Sequence, residues 1–164
     1  MEYKTLEIRG AQIMNERFRH FKKGKYGYSF CIDLSKGESV KFGGKPITDP
    51  EELVKELEED MWKVQYTRPT NPMYTPDPFL EVKINFNNKF NPPYIVVNGA
   101  DYGEDMIGAL QSANFKHVNI AINPARPTER NDGSVKRTAY LGSLHADLFE
   151  DGEYTPERYA DPFA

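Results

Sequence analysis

Apolar and polar residues alternate along several short segments of the chain, which is the pattern of strands with one buried face. In residues 6–14 the alternation is interrupted by Gly10, which is predicted to form a bulge or a bend. Residues 26–34 alternate more clearly, because four large apolar or aromatic side chains share one face. These two segments are predicted to form a long hairpin, with Gly24 as a turn residue in its loop.

Later strands are predicted by the same pattern. They are residues 79–86, 94–97, 118–122 and 135–148. Gly142 is a second candidate bulge, since it lies inside the last and longest of these segments. A short helix is predicted at about residues 104–112, between the strands at residues 94–97 and 118–122.

One segment, residues 50–65, has the apolar spacing of a substantial helix. Thr48 or Asp49 can cap it, and Pro50 suits its first turn, where a missing N–H costs nothing. The next segment, residues 67–79, contains four prolines and is predicted to be a connector, because proline breaks helices and interior strands.

This order of elements predicts a mainly β fold, namely a five-to-seven-stranded OB-like barrel with one inserted α-helix, whose bent strands carry glycine at their corners. A β-sandwich with an inserted helix is the alternative. The length of 164 residues suits one domain, residues 1–149, followed by an acidic, flexible tail, residues 150–164. The tail is predicted to be disordered, because it is acidic and contains two prolines.

The charge is unevenly distributed along the chain. The tail holds five acidic residues and one arginine, so it alone accounts for the net charge of −4. Residues 48–60 form a second acidic block, and residues 17–25 are the densest basic segment. Such asymmetry is typical of an interaction tail beside a binding site for a polyanion.

Most catalytic and metal-binding classes lack their signatures here. A single cysteine, Cys31, and three histidines are a poor supply of metal ligands and exclude an internal disulfide framework. No phosphate-binding loop, zinc-binding pair or nucleophile elbow occurs, and the glycine pair in residues 41–48 is predicted to be a turn. We therefore expect no enzymatic activity, metal or cofactor. No membrane span or signal peptide is predicted, and a reducing, cytoplasmic location is expected.

The strongest functional signal is a run in which cations alternate with aromatic rings, residues 17–30. A groove for single-stranded nucleic acid needs cations along the phosphates and rings on which bases stack. The predicted phosphate contacts are Arg17, Arg19, Lys22, Lys23 and Lys25, and the predicted stacking rings are Phe21, Tyr26 and Tyr28. The alternative is that these rings face the barrel interior, as is favoured for Phe30.

A second basic cluster lies in the predicted hairpin between the last two strands. Its members are Arg126, Arg130, Lys136 and Arg137, with Tyr140 following. In a barrel of this type the loops after the first strand and before the last strand flank one binding face, so two basic loops are predicted to close over one strand of nucleic acid. Trp62 is a candidate extension of this groove. The alternatives are a solvated hairpin and a Trp62 that packs in the core.

The end of the tail combines acidic and aromatic residues. An acidic tail can compete with nucleic acid for the cations of the body, and its last residues can dock on a partner protein. Asp161, Pro162 and Phe163 are the predicted partner-binding residues. The alternative is a terminus that only improves solubility.

Together these features resemble the bacteriophage single-stranded DNA-binding proteins. The resemblance is carried by the basic and aromatic hairpin, by "HVNIAINPARP" followed by "GSVKRTAYLGSLHADL", and by the closing "ADPFA". It implies sequence-independent binding of single-stranded DNA during phage replication and recombination in the host cytoplasm. It also implies a tail that recruits replication or recombination proteins. Members of the family commonly end on the aromatic residue, whereas Ala164 follows Phe163 here.

Two other functions remain open from the sequence. A phage inhibitor or adaptor could bind a host protein through the acidic helix and tail. A small enzyme acting on nucleotides would use His117, His145 and Asp147. The oligomeric state is also open, with a homodimer among the alternatives.

Overall fold

The computed structural model of the chain describes residues 3–14, 20–25 and 27–149. Strands dominate this part. They are β1 (Leu6–Arg9), β2 (Lys22–Gly24), β3 (Gly27–Asp33), β4 (Ser39–Phe42), β5 (Lys45–Ile47), β6 (Val64–Tyr66), β7 (Pro78–Ile84), β8 (Tyr94–Val97), β9 (Ala100–Asp101), β10 (Phe115–Pro124), β11 (Thr128–Glu129), β12 (Val135–Lys136) and β13 (Ala139–Leu148). The helices are α1 (Pro50–Glu59) and a 3₁₀ helix, Ile107–Ser112. No helix in the described residues is both long enough and apolar enough to cross a membrane.

Five strands form the barrel, in the spatial order β1, β10, β13, β7, β3. Neighbours are antiparallel except for β7 and β13, which are parallel. The ring closes where the chain beyond β1 meets β3: the Met14 N–H donates to the Cys31 carbonyl at 2.9 Å, and the Asp33 N–H donates to the Gln12 carbonyl at 3.0 Å. The predicted mainly β, OB-like barrel with one inserted helix is therefore confirmed.

Glycine allows two barrel strands to bend, as predicted. Gly10 has a φ of +67°, a left-handed conformation that redirects the chain from its β10 partner toward β3. Gly142 is the extra residue of a bulge, because Ala121 pairs with Ser143 while Ile122 pairs with Leu141.

The Gly142 bulge also leaves no room for a side chain. A Cβ there would lie 2.6 Å from Asn123 Nδ2 and 3.2 Å from the Ala121 carbonyl oxygen. Asn123 cannot move freely, since its Oδ1 accepts a hydrogen bond from the Thr5 hydroxyl at 2.8 Å. We expect Gly142→Ala to lower the free energy of unfolding by about 1 to 3 kcal/mol, the usual cost of overpacking. Urea denaturation measures this change.

The control is Gly108→Ala in the 3₁₀ helix, where the nearest neighbour of an added Cβ is the Tyr28 hydroxyl at an ordinary 3.9 Å. We expect this variant to be as stable as the wild type or slightly more stable. Equal stability of the two variants would show that the bulge tolerates a side chain.

The core lies inside the barrel and is formed by alternate residues of its strands. Phe30 and Ile32 from β3 face Val82 and Leu80 from β7, and all four side chains are buried. The 3₁₀ helix closes one end, where the Gln111 side-chain amide donates to the Phe21 carbonyl at 3.1 Å.

Helix α1 is shorter than predicted, because it ends at Glu59 rather than at residue 65. Its N-cap is Asp49, whose carboxylate accepts from the Glu51 N–H at 3.1 Å. After the C-cap residue Asp60, Met61 has a φ of +68°, so the chain leaves the helix and continues into β6.

The predicted hairpin of residues 6–14 and 26–34 is formed only where residues 12–14 meet β3, because β1 itself pairs with β10 and β4. The connecting segments account for further differences from the predicted elements. The glycine pair Gly43–Gly44 forms the predicted turn, with both φ angles positive, and joins the unpredicted strands β4 and β5. The proline-rich segment is a loop between β6 and β7, closed where the Thr67 N–H donates to the Asp77 carbonyl at 2.9 Å. The predicted strand at residues 135–148 is divided into β12 and β13.

Candidate nucleic-acid interface

An open groove crosses the outer face of β3 and β7. Its larger part is a concavity of about 330 Å³ lined by Lys25, Ser29, Glu81 and Lys83, together with Gly24, Gly27 and Tyr28 of the β2–β3 hairpin. Glu81 and Lys83 also line a smaller pocket of about 40 Å³ that reaches toward the hairpin between β10 and β13. Because the two concavities share these two residues, they form one continuous surface, which we call the groove.

The strand register determines which side chains reach the groove. Successive residues of a strand point to opposite faces. Val82 is buried in the core, so its neighbours Glu81 and Lys83 point outward. Ser29 is paired with Lys83, and Lys22 is paired with Ser29. On its other side, Lys83 is paired with Tyr140 of β13. Directly paired residues share a face, so these four side chains form a row across the strands.

The β2–β3 hairpin supplies the cations at one end of this row. Gly24 pairs with Gly27, so Lys25 lies in the turn of this hairpin. Lys22, Lys23 and Lys25 are all exposed. The Lys23 ammonium lies 5.9 Å from the centre of the half-buried Tyr28 ring, within the range of a cation–π contact. The structure thus brings three predicted cations and one predicted ring together; Arg17, Arg19 and Tyr26 lie outside the described residues.

The second basic hairpin borders the small pocket. Arg126 on it is exposed, and Lys136 is half-buried. Arg130 lines the pocket together with Lys63, Lys83 and the largely buried Arg137, so four basic residues converge there. This hairpin therefore places a predicted phosphate contact, Arg130, at the other end of the groove.

The Arg130 guanidinium is only partly satisfied. Its Nη2 donates to the Thr138 hydroxyl at 3.1 Å, and the Lys136 carbonyl lies at the outer limit of 3.5 Å. Its Nε is buried and has no hydrogen-bond partner among the described residues. A buried charged donor without an acceptor is costly, so in folded proteins a water, an ion or a ligand usually completes such a group.

The tip of this hairpin is held in a defined turn. Asp132 Oδ1 accepts hydrogen bonds from the Ser134 hydroxyl at 2.6 Å and from the Ser134 N–H at 2.9 Å. These bonds lower the pKa of Asp132 below its ordinary value, the hydroxyl being the larger cause. The Arg130 N–H donates to the Ser134 carbonyl at 2.7 Å, which fixes the backbone that carries the guanidinium.

Two predicted stacking rings are corrected by the structure. Phe21 has no exposed surface and is stacked on Phe30, with ring centroids 4.7 Å apart. Trp62 is also fully buried: its indole N–H donates to Asp60 at 2.9 Å, and its ring packs edge-on against Phe42. A ring without accessible surface cannot stack on a base. The core-packing alternative therefore holds for both residues.

Arg137 is corrected as well, because its side chain is only 2% exposed. Its Nε donates to the Asp60 carbonyl at 2.9 Å, and its Nη1 donates to the Ala125 carbonyl at 3.0 Å. The Asp60 carboxylate lies 3.8 Å from Nε. Arg137 thus ties the base of the second hairpin to the end of helix α1 and does not reach a phosphate.

The residues of the alternative enzyme prediction lie elsewhere. His117 is paired with Asp147, and His145 is paired with Asn119, near the end of β13 that is remote from β7. All three side chains are exposed, and the His145 ring contacts Tyr94 at 5.5 Å. Among the residues that the structure describes, no group of three or more such side chains could hold a metal ion. The tail residues Asp161, Pro162 and Phe163 fall outside the described part.

Sequence reasoning missed two groove residues, Lys63 and Lys83, and it named Tyr140 only as the ring that follows the second basic cluster. Lys83 is an isolated cation on a strand, and only its register with Ser29 and Tyr140 reveals that it lies between the two hairpins. The one signal in the sequence was the alternation in "FLEVKINF", which places Lys83 on the polar face.

Comparisons with known proteins address the fold. No protein-family model matches the chain, and no curated protein matches its sequence. Among solved structures, a C-terminal truncation of the single-stranded DNA-binding protein from bacteriophage Enc34 is similar with a TM-score of 0.53 and 13% identity, over 89% of this chain and 87% of that one. A second structure of the bacteriophage Enc34 single-stranded DNA-binding protein has a TM-score of 0.50 and 12% identity, over 96% and 90%. The chain therefore shares its fold with a phage single-stranded DNA-binding protein, as the sequence resemblance predicts.

Proposed function

We propose that the chain binds single-stranded DNA in the groove, without sequence preference and without catalysing a reaction. The observation that carries this proposal is the continuous groove between two basic hairpins, with Lys63, Lys83 and Arg130 lining its smaller end. The two structural neighbours are single-stranded DNA-binding proteins, which supports the same ligand. Phage replication or recombination is the proposed setting.

The groove offers the two kinds of contact that a single strand requires. The cations that follow the phosphates are Lys22, Lys23, Lys25, Lys63, Lys83 and Arg130, with Arg126 and Lys136 on the outer hairpin. Tyr140 is the ring beside Lys83 on the outer face. Tyr28 borders the larger concavity, although it is paired with the buried Ile84 and packs against the core. Stacking on rings and attraction to phosphates do not depend on base identity, so this arrangement favours sequence-independent binding.

Fluorescence polarisation with a labelled oligo-dT about 30 nucleotides long, roughly two or more sites for one OB fold, tests this function. We expect binding that weakens steeply between low and moderate salt, because bound cations release counterions from the strand. The matching duplex should bind weakly, since its bases are already stacked. Absence of binding to either ligand at low salt would refute the proposal.

We also propose that the acidic tail competes with DNA for the cations of the groove. The last described residue, Phe149, is anchored by its N–H to the Asn114 carbonyl at 3.0 Å, at the end of β13 away from β7. A fifteen-residue tail spans up to about 50 Å when extended, which exceeds the roughly 33 Å length of a ten-residue strand. Tail length therefore does not prevent this competition.

Truncation after Phe149 is expected to tighten binding to oligo-dT at low salt by severalfold, because a competing charge of −4 is removed. The gain should disappear at high salt, where charges are screened. Polarisation titrations of the full and truncated chains at both salts measure it. Equal affinities at low salt would contradict the competition. Recruitment of replication proteins by Asp161, Pro162 and Phe163 is a separate proposal, tested by pull-down with and without the tail.

The second candidate is an inhibitor or adaptor that binds a basic host protein. The observation that favours it is the exposed acidic surface of helix α1, to which Glu51, Glu52 and Glu59 contribute. This function predicts no DNA affinity and a stable complex with a basic protein. The polarisation experiment therefore separates the two candidates.

A further inference from the structure

We propose that the loop of residues 85–93, between β7 and β8, is a second contact for single-stranded DNA, with Phe90 stacking on a base and Lys89 meeting a phosphate. The inference rests on the proposed function and extends its site beyond the groove. Phe90 is 94% exposed, so its ring contributes almost nothing to the core. The fold therefore does not require a large ring at this position, and the ring is free to contact a ligand.

The loop holds Phe90 in a defined position. Asn88 Oδ1 accepts hydrogen bonds from the Phe90 and Asn91 N–H groups, both at 3.1 Å. Earlier in the loop, Asn85 Oδ1 accepts from the Asn87 N–H at 3.0 Å. The loop backbone at Phe90 thus has internal hydrogen bonds without a ligand. These bonds reduce the conformational entropy that the loop loses on binding.

The start of the loop adjoins the groove. The loop leaves β7 after Ile84, which follows Lys83 and is paired with Tyr28. It returns at Tyr94, which is paired with Ser143, three residues beyond Tyr140 on the same strand. The loop therefore begins at the Lys83–Tyr140 pair, and a strand that leaves the groove there meets Phe90 next.

The surroundings of Phe90 favour a nucleobase over a protein partner. The loop holds four asparagines and one lysine beside Phe90. Its other ring, Phe86, packs against the core, so Phe90 is the ring that the loop presents to solvent. A base suits this setting, because it has a flat face for the ring and polar edges for the amides. A neighbouring cation such as Lys89 is what the adjoining phosphate requires.

The test compares Phe90→Ala with the wild type in polarisation titrations of oligo-dT. We expect affinity to fall about 10-fold, in the range found when a stacking ring is truncated, with an unchanged salt dependence because no charge is removed. Tyr74→Ala is the matched control, since Tyr74 is 68% exposed on the β6–β7 loop, beyond the opposite end of β7. It should bind like the wild type. Phe90 is exposed enough that its truncation should leave the melting temperature unchanged.

An oligonucleotide of the same length with abasic sites isolates stacking. On this ligand the wild type and Phe90→Ala should bind equally, because there is no base for the ring to cover. If the wild type binds oligo-dT and Phe90→Ala binds equally well, the inference is overturned while the proposed function stands. If the wild type does not bind oligo-dT at low salt, the proposed function fails and this inference fails with it.

Discussion

Replacing Arg130 with glutamine is expected to weaken binding to oligo-dT by about 10- to 100-fold at low salt, the cost of losing a charge-assisted hydrogen bond of roughly 1.5 to 3 kcal/mol. The guanidinium lines the groove, and its buried Nε has no acceptor within the described residues. A phosphate in the small pocket would accept a hydrogen bond from this guanidinium. The slope of log affinity against log salt should also fall by about 0.7, the value for one phosphate contact on a single strand.

The matched control is Arg68→Gln, which removes the same charge from an exposed position on the β6–β7 loop outside the groove. It should change affinity only slightly, through the net charge. If both variants lose the same affinity, overall charge and not the pocket at Arg130 determines binding. Thermal melting of both variants establishes that they remain folded.

Arg137→Met is expected to lower the free energy of unfolding by about 3 to 5 kcal/mol, because removing one partner of a buried ion pair leaves the other uncompensated. The Asp60 carboxylate loses its buried cation, and the Asp60 and Ala125 carbonyls lose their donors. Urea denaturation measures the change.

Arg126→Met, on the same hairpin but exposed, is the control and should stay within about 0.5 kcal/mol of the wild type. A stability of Arg137→Met equal to that control would contradict the structural role assigned to this arginine. The two variants therefore show whether Arg137 stabilises the fold by bonding the hairpin to the end of helix α1.

The barrel could be predicted from the sequence because its strands alternate between an apolar interior and a polar exterior. The bends at Gly10 and Gly142 were equally predictable, since glycine inside a strand pattern usually marks a bulge or a bend. Strands β4 and β5 were not predicted, because only Phe42 and Ile47 of their residues are buried. Their pattern is too polar to stand out from a loop.

The overlong helix has a different cause. Met61 and Val64 continue the apolar spacing of α1, so periodicity alone extends the helix to them. In the structure the Trp62 N–H bonds to the Leu57 carbonyl and its indole bonds to Asp60, which fixes the chain in a left-handed turn at Met61. Tertiary contacts of Trp62 thus override the local pattern.

The candidate site could be predicted only in part. A cluster of cations along the chain points to the β2–β3 hairpin directly, and Lys22, Lys23 and Lys25 are exposed there. Lys83 and Tyr140 join the site through pairing across strands, which proximity along the chain does not reveal. The sequence did not reveal burial either. Arg130 and Arg137 both line the small pocket, yet Arg130 is half-buried, whereas Arg137 is only 2% exposed and donates to two backbone carbonyls.

Lysine footprinting of the chain with and without oligo-dT, read by mass spectrometry, tests the central claim most directly. We expect the strand to protect lysines of the groove, namely Lys22, Lys25, Lys63 and Lys83, from an amine-reactive reagent. Lys55 on helix α1 and Lys41 on β4 are exposed and lie outside the groove, so their labelling should not change. Protection of Lys41 and Lys55 with full labelling of the groove lysines would contradict the account.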